Sequence, residues 1–332
     1  MRVDPLEEAI RLGELSGANL RGAQLEGADL RGAQLEEAKL FRARLTEANL
    51  SGAQLKGAKL GQAWLERANL SRAKLEGVDL NDAELERANL YQAQLTEADL
   101  RGAWLVRVNL SGARLDGVNL RDIVLGNKHH TGPFLADVQW GTTNLTVVDW
   151  SQVAKLGDEW NAMQKIMPDG EKKMKHTHLH DYKVAVRANR QLAVALQTQG
   201  LNEEAECFAY RAQRLQRIVL RQQKKIGQYL FSGFLDLLAG YGYKPGNSMI
   251  AYLVTIFGFT FLYWLNAHYI IPHLGWREAL VLSISSFHGR GFFSQDIKLG
   301  DTYAQLAAAE AVIGLGIEIS FIATFTRRFF GK

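Results

Sequence analysis

The sequence predicts a multi-domain chain: a solenoid, an α-helical segment, and a membrane domain with two apolar spans. Three observations carry this. Leucine recurs at every fifth residue from Leu15 to Leu125, 23 centres without a slip. From Gly246 to Pro272 no Asp, Glu, Lys or Arg occurs. Between that stretch and a second apolar one lies a run too short to cross a bilayer, followed by a Gly-x-Gly.

A period of five is neither helical nor extended. On an α-helix, residues five apart are rotated by about 500°, so the leucines would spiral around the surface and leave no dry stripe. On a strand, an odd period sends successive leucines to opposite faces. A solenoid that turns a corner once per repeat points every fifth residue inward. Ala sits two residues before the leucine in 18 of the 23 repeats, so large and small side chains alternate in a narrow interior. The exceptions are Gly13, Val78, Val108, Val118 and Ile123. The stretch "ANLSGAQLKGAKL" resembles the pentapeptide-repeat family, A(D/N)LXX. That resemblance implies a right-handed quadrilateral β-helix with four repeats to a coil.

A second period lies inside the first. The residue before every second leucine is Asn or Asp at 19, 29, 49, 69, 79, 89, 99, 109 and 119, with Lys39 and Lys59 as exceptions. Asn and Asp bond their own turns readily, so alternate corners are expected to use different turns. Trp64 and Trp104 fall on one side, two coils apart. They mark either a contact surface or packing beneath long neighbours.

"DPLEEAIRL", Asp4 to Leu12, reads as a helix capping the open end, with Asp as N-cap, Pro in the first turn and acids near the start. The capping helix is therefore expected over 1–12 and the solenoid over 13–150. "GNKHHTGP" interrupts it, and Leu135, Trp140, Leu145 and Trp150 then return in register. The N-terminus lacks the apolar core of a secretory signal. The single cysteine, Cys207, offers no disulfide framework and suits a reducing compartment.

Net charge is +4 over 332 residues, yet Gly13 to Leu125 carries 15 basic and 16 acidic side chains. Some members of the resembled family mimic DNA with a strongly acidic surface; this repeat region lacks the charge for that. No nucleic-acid partner is expected. No phosphate loop, nucleophile motif or framed pair of acids appears, so the chain reads as a non-enzyme without a cofactor.

Residues 151–228 read as a cytoplasmic helical linker. Within it, two helical patterns parted by Gly200 and Asn202 resemble a tetratricopeptide-type helical pair. Arg211, Arg214, Arg217, Arg221, Lys224 and Lys225 recur at helical spacing as a basic stripe. Such a stripe is either a solvated face or a contact for anionic membrane lipids. His176, His178 and His180 alternate at a loop or helix start, without cysteines nearby, and are not taken as a metal site. Residues 229–245 resemble an interfacial segment lying flat before the first span.

Gly246 to Pro272 exceeds the roughly 20 residues that a crossing needs. Tyr263, Trp264 and Tyr269 gather near its outer end, as at a membrane interface. Tyr303 to Phe325 is a second stretch of spanning length, but it contains Glu310 and Glu318. Acids inside a span are costly and face a partner or a wet cavity. Basic residues precede the first span and, as Arg327, Arg328 and Lys332, follow the second. The connection between the spans is balanced, with Arg277, Arg290 and Lys298 against Glu278, Asp296 and Asp301. Positive-inside bias puts both termini in the cytoplasm.

Span, short apolar helix, glycine-bearing loop, span: residues 246–332 resemble the two-helix pore module of the potassium-channel superfamily. Ser285, Ser286, Phe287, His288, Gly289, Arg290 and Gly291 fall at the pore loop, Gly289 and Gly291 matching the glycines of T-V-G-Y-G. The resemblance, joined to the repeats, implies a multi-pass protein of the bacterial inner membrane: a homotetrameric ion channel with a cytoplasmic sensing or anchoring domain. Two departures stand out: His288 replaces the valine and Arg290 the aromatic. Selectivity for K⁺ is therefore not expected. Arg290 either points outward to Glu278 or Glu310 as filter support, or lines the axis. Gly314 and Gly316 are a gating hinge or a close helix contact. The alternative reading is a non-conducting membrane scaffold that tethers the repeats as an interaction surface.

Overall fold

A computed structural model describes residues 15–126, 131–167, 170–243, 245–270, 275–289 and 302–330. The expected capping helix over 1–12 lies outside the described residues. The chain divides into two compact units, Met1–Gln223 and Lys224–Lys332.

The first unit is built from stacked coils. Single-residue parallel bridges join each outward residue to its counterpart on the next coil, from Asn19↔Lys39 to Trp104↔Val124. No extended strand occurs among the described residues of the coils. The expected β-helix is thus a ladder of isolated bridges. The reason is geometric: a turn follows every leucine, leaving one residue per side free to pair across coils.

The leucines line the interior, and most are wholly inaccessible. Each leucine N–H from Leu15 to Leu115 donates to a carbonyl of the next coil, as Leu35 does to Gln54 at 2.8 Å. The outward residue donates back, as Lys39 does to Ala18 at 2.8 Å, and Ala38 closes the turn on Leu35 at 3.1 Å. The third residue of each turn is left-handed at all 22 corners from Gly17 to Asp122, with φ between 53° and 69°. Twelve of these are not glycine, among them Arg72 and Glu97. An L-residue there costs roughly 1–2 kcal/mol, which the coil-to-coil bonds hold in place.

One turn geometry therefore serves every corner, contrary to the expectation of two. The alternating Asn and Asp have a different task. Among the described residues the N–H just after each repeat leucine has no backbone partner, and after alternate leucines, from Leu30 on, the Asn or Asp side chain accepts it where one is present. Ser51 donates to Asn49 Oδ1 at 3.2 Å, Ser71 to Asn69 at 3.2 Å and Ser111 to Asn109 at 3.1 Å. The amides also bond across coils: Asn69 to Asn49, Asn89 to Asn69 and Asn109 to Asn89, at 3.1–3.3 Å.

After Leu125 the numbering of the pairs slips by one repeat length and the coil resumes. Asn109 bridges Phe134 and Arg114 bridges Gln139, where the earlier register would have paired them with positions 129 and 134. The last coil has no successor, so its backbone donors need other acceptors. Side chains supply them. Leu125 N donates to Gln152 Oε1 at 2.9 Å, Leu135 N to Asp158 Oδ2 at 2.8 Å and Leu145 N to Gln199 Oε1 at 2.7 Å. Asp158 belongs to α1 (Gly157–Met163), and Gln199 ends α2 (Lys175–Thr198). Gly200, at φ 81°, turns the chain into α3 (Asn202–Gln222).

Ala188, Leu192, Leu196, Ala205 and Phe208 from α2 and α3 continue the leucine core. Trp150 meets Phe208 edge-on at 6.0 Å. Residues up to Gln223 thus end the solenoid instead of merely linking it onward. His178, at the start of α2, packs on Tyr182 at 5.0 Å. No metal-binding group of side chains occurs among the described residues.

The cap predicts a pH dependence. Burial pushes the Asp158 carboxyl up from 3.8 to about 6, against the lowering effect of the Leu135 and Ala136 amides. The folded chain then holds this proton more tightly than the unfolded chain, so stability falls as pH rises from about 4 through about 6 and is flat above. Lowering the pH from 7 to 5 should stabilise the unit by about 1 kcal/mol through this group. Asp158→Asn keeps an acceptor for Leu135 and should remove that increment; urea unfolding of both forms across the pH range measures it.

Candidate membrane-spanning site

The second unit contains α4 (Ile226–Ala239), α5 (Pro245–Ile270), α6 (Trp276–Phe287) and α7 (Thr302–Phe330). Gly240, left-handed at φ 52°, ends α4 and starts the corner into α5. Gly246–Asn266 and Ala304–Thr326 are long and apolar enough to cross a membrane. Most of each stretch is not buried within the chain: Phe257, Phe261 and Leu265 on α5, with Val312, Ile319 and Ile322 on α7, are exposed. α6 has 12 residues, about 18 Å, well short of a hydrocarbon core of about 30 Å.

A buried polar cluster ties the three helices together. Glu310 on α7 is 0% exposed. Tyr263 on α5 donates to its Oε2 at 2.8 Å, and Ser283 on α6 donates to its Oε1 at 2.5 Å. Ser283 Oγ also lies 3.0 Å from the Ile256 carbonyl on α5. Both carboxyl oxygens thus have hydroxyl partners, which is what a buried acid requires. Sequence reasoning found Glu310 but missed its partners: Tyr263 looked like an interfacial aromatic, and Ser283 lay inside the short apolar run without a signal of its own.

The other expected site residues separate into distinct environments. Glu278, in the first turn of α6, accepts from the Gly275 N–H and so caps its own helix. Arg290 and Gly291 lie outside the described residues. The carboxylates offered as arginine partners therefore have these other bonds: Glu310 to Tyr263 and Ser283, Glu278 to Gly275. Ser285 Oγ returns to the carbonyls of Val281 and Leu282. Ser286 Oγ is buried and has no hydrogen-bond partner among the described residues. Phe287 packs against Leu238, Ile256 and Ile317 and meets Tyr252 edge-on at 4.8 Å. Gly289, directly after α6, is left-handed at φ 67°, a conformation glycine adopts freely. His288 Nδ1 lies 2.5 Å from Glu318 Oε1, and both side chains are partly exposed.

Gly314 and Gly316 behave differently. A methyl added at Gly314 would overlap the Phe287 carbonyl that ends α6, whereas Gly316 has nothing within 4 Å. Gly316 instead lines an open apolar cavity of about 600 Å³ between α4, α5 and α7, with Phe234, Leu237 and Val254 among its walls.

The basic stripe is also uneven. Arg211 lies 4.9 Å from the Phe208 ring centroid, donates to the Val153 carbonyl at 3.0 Å and approaches Glu159 at 4.0 Å. Arg217 is half-buried, while Arg214, Arg221, Lys224 and Lys225 are exposed. Arg211 thus serves the interior of the first unit and leaves the solvent stripe narrower than its spacing suggested.

A family model described as pentapeptide repeats matches residues 14–47, 53–92 and 93–125, in eight copies. The chain carries a pentapeptide-repeat domain. Similar solved structures include Rfr23, a pentapeptide repeat protein from the cyanobacterium Cyanothece 51142. It is 28% identical, covers 41% of this chain and 96% of its own, and has a TM-score of 0.31. HetL, from Nostoc sp. strain PCC 7120 and described as involved in heterocyst differentiation regulation, is 30% identical. It covers 38% of this chain and 65% of its own, with a TM-score of 0.25. A pentapeptide repeat protein from the Arabidopsis thaliana thylakoid lumen is 32% identical over 33% of this chain and 70% of its own, at a TM-score of 0.24. No curated protein matches.

The glycine geometry outside the pentapeptide repeats gives a paired prediction. Gly314→Ala should push α6 away from α7 and lower the stability of the second unit by about 1–3 kcal/mol, the usual cost of overpacking. Gly316→Ala should change it by less than about 0.5 kcal/mol. Thermal unfolding in detergent, followed by aromatic circular dichroism, compares the two.

Proposed function

We propose that this chain is the subunit of a homotetrameric ion channel of the bacterial inner membrane, with its pentapeptide-repeat unit in the cytoplasm as a sensing or anchoring domain. The observation that carries the reading is the short helix α6, held between two span-length helices by Tyr263, Ser283 and Glu310 and followed at once by a left-handed glycine. A helix of that length, bonded to both spans, suits a re-entrant element. Residues 285–291 are then the pore loop, as the resemblance implies.

Two spans cannot enclose a pore by themselves, so a closed ring of copies is required. The exposed apolar faces of α5 and α7 suit lipid and neighbouring subunits. The His288–Glu318 pair is partly exposed beside apolar side chains of α7 such as Leu315, Ile319 and Ile322, which suits a water-filled path. Basic residues on either side of the spans favour cytoplasmic termini. Arg290 in place of the filter aromatic favours the second reading, a membrane-tethered scaffold without conduction.

Mass measurement in nanodiscs and planar-bilayer recording separate these. A tetramer that passes current is expected. A strict monomer would sink the channel reading, and a tetramer silent at all voltages would leave the scaffold. Arg290→Ala adds detail: loss of assembly marks an outward, paired guanidinium, and a reversal potential shifted toward cations marks an axial one.

Anionic lipid is the proposed partner of the segment from Arg214 to Lys225. Each cation near a charged leaflet contributes about 1 kcal/mol. Neutralising Arg214, Arg221, Lys224 and Lys225 together should weaken binding to phosphatidylserine vesicles, most strongly at low salt. Equal binding of both forms at low ionic strength would mark these residues as an ordinary solvated face.

A further inference from the structure

Trp64 and Trp104 share one outward column of the pentapeptide-repeat domain, with Glu84 on the coil between. Bridges run Arg44↔Trp64, Trp64↔Glu84, Glu84↔Trp104 and Trp104↔Val124. At about 4.8 Å per coil the two tryptophans stand roughly 10 Å apart. They are 43% and 53% exposed, so neither is packed beneath long neighbours.

The column already holds one cation. The Arg44 guanidinium lies 4.8 Å from the Trp64 ring centroid and is paired to Glu26 at 2.6 Å. That is the arrangement in which arginine is strongest: a planar cation stacked on indole and bonded to a carboxylate.

One coil further on, the carboxylates are present without the cation. Glu84 stands between the tryptophans, and Glu66 projects from the adjoining corner. Among the described residues neither is ion-paired; Glu66 accepts from Thr46 Oγ1 at 3.1 Å. Nearby arginines are committed elsewhere: Arg67 to Glu47 at 3.0 Å, Arg87 to Glu86 at 3.6 Å and Arg101 to Asp99 at 2.6 Å. Burial, and then the Glu66 carboxyl beside it, hold the Glu84 carboxyl above its ordinary range. An incoming cation would relieve that repulsion.

We propose that the face formed by Trp64, Glu66, Glu84 and Trp104 docks an arginine-bearing basic segment of a partner protein. Charge complementarity selects this occupant. An anionic lipid surface would meet the Glu84 and Glu66 carboxylates of this face, and an acidic peptide would meet the same repulsion. Lysine fits less well than arginine because it neither stacks flat nor forms a bidentate pair.

Calorimetric titration of the full chain in neutral detergent tests this with a Gly-Arg-Gly-Arg-Gly peptide and its Lys and Glu counterparts. Saturable binding of the arginine peptide is expected, about fivefold weaker for lysine and undetectable for glutamate. Trp64→Ala, Trp104→Ala and Glu84→Gln should each weaken binding by about tenfold. Circular dichroism should show the coils intact, because all three side chains lie outside the leucine core. Lowering the pH should weaken binding as Glu84, whose carboxyl is held above its ordinary range, takes up a proton. No saturable binding, or binding that the three substitutions leave within about twofold, overturns the proposal. So does equal affinity for the glutamate peptide.

Discussion

The constraint on which the first unit depends is the coil-to-coil hydrogen bond. A five-residue repeat fixes three inward or corner positions and gives its backbone no local partner except the turn bond from Ala to Leu. The leucine N–H, the corner N–H and the outward N–H must all be answered by neighbouring coils. The interior follows from this. With coils held at strand spacing, the core has room for one leucine and one alanine per side, and the sequence supplies those two almost throughout. The twelve non-glycine corners in a left-handed conformation are a consequence of the same bonds, because no single corner can relax without breaking pairs above and below.

An open stack passes its unsatisfied groups to its ends. Gln152, Asp158 and Gln199 come from three different elements, yet all accept from leucine amides of the final turns. The α2–α3 pair thus has a structural reason to sit at that end, independent of any role in joining domains. In the second unit an analogous need arises. A carboxyl buried among apolar helices must find donors within the protein, and Glu310 finds Tyr263 and Ser283, one on each neighbouring helix. The acid that is costly in an isolated span becomes the contact that fixes the short helix between two long ones.

The repeat region was almost wholly legible in the sequence, because its period is dictated by backbone geometry and appears 23 times over. The two long apolar helices were legible for a similar reason: from Gly246 to Pro272 no charged side chain interrupts the run. What could not be read were pairings between distant elements. Asn and Asp before alternate leucines looked like a signal for two turn types, when they answer an N–H left over by a single type. Arg211 shared its spacing with exposed neighbours, and only tertiary packing on Phe208 and Val153 separated it from them. Glu310 invited an arginine partner because charge is visible in a sequence, whereas two hydroxyls brought close by folding are not.

The outward columns show where the fold leaves choice. One is occupied by Asn49, Asn69, Asn89 and Asn109, whose amides bond from coil to coil and so are committed to stability. The column of Gln24, Arg44, Trp64, Glu84, Trp104 and Val124 has no such regularity. Its backbone bonds are the same as those of every other column, so nothing in the stacking requires an indole or a carboxylate there. Trp64 stacks with Arg44, but the indoles gain little burial here, since the leucine core is complete without them. A departure from the repeat that the backbone does not need leaves the column free to be shaped by what it touches.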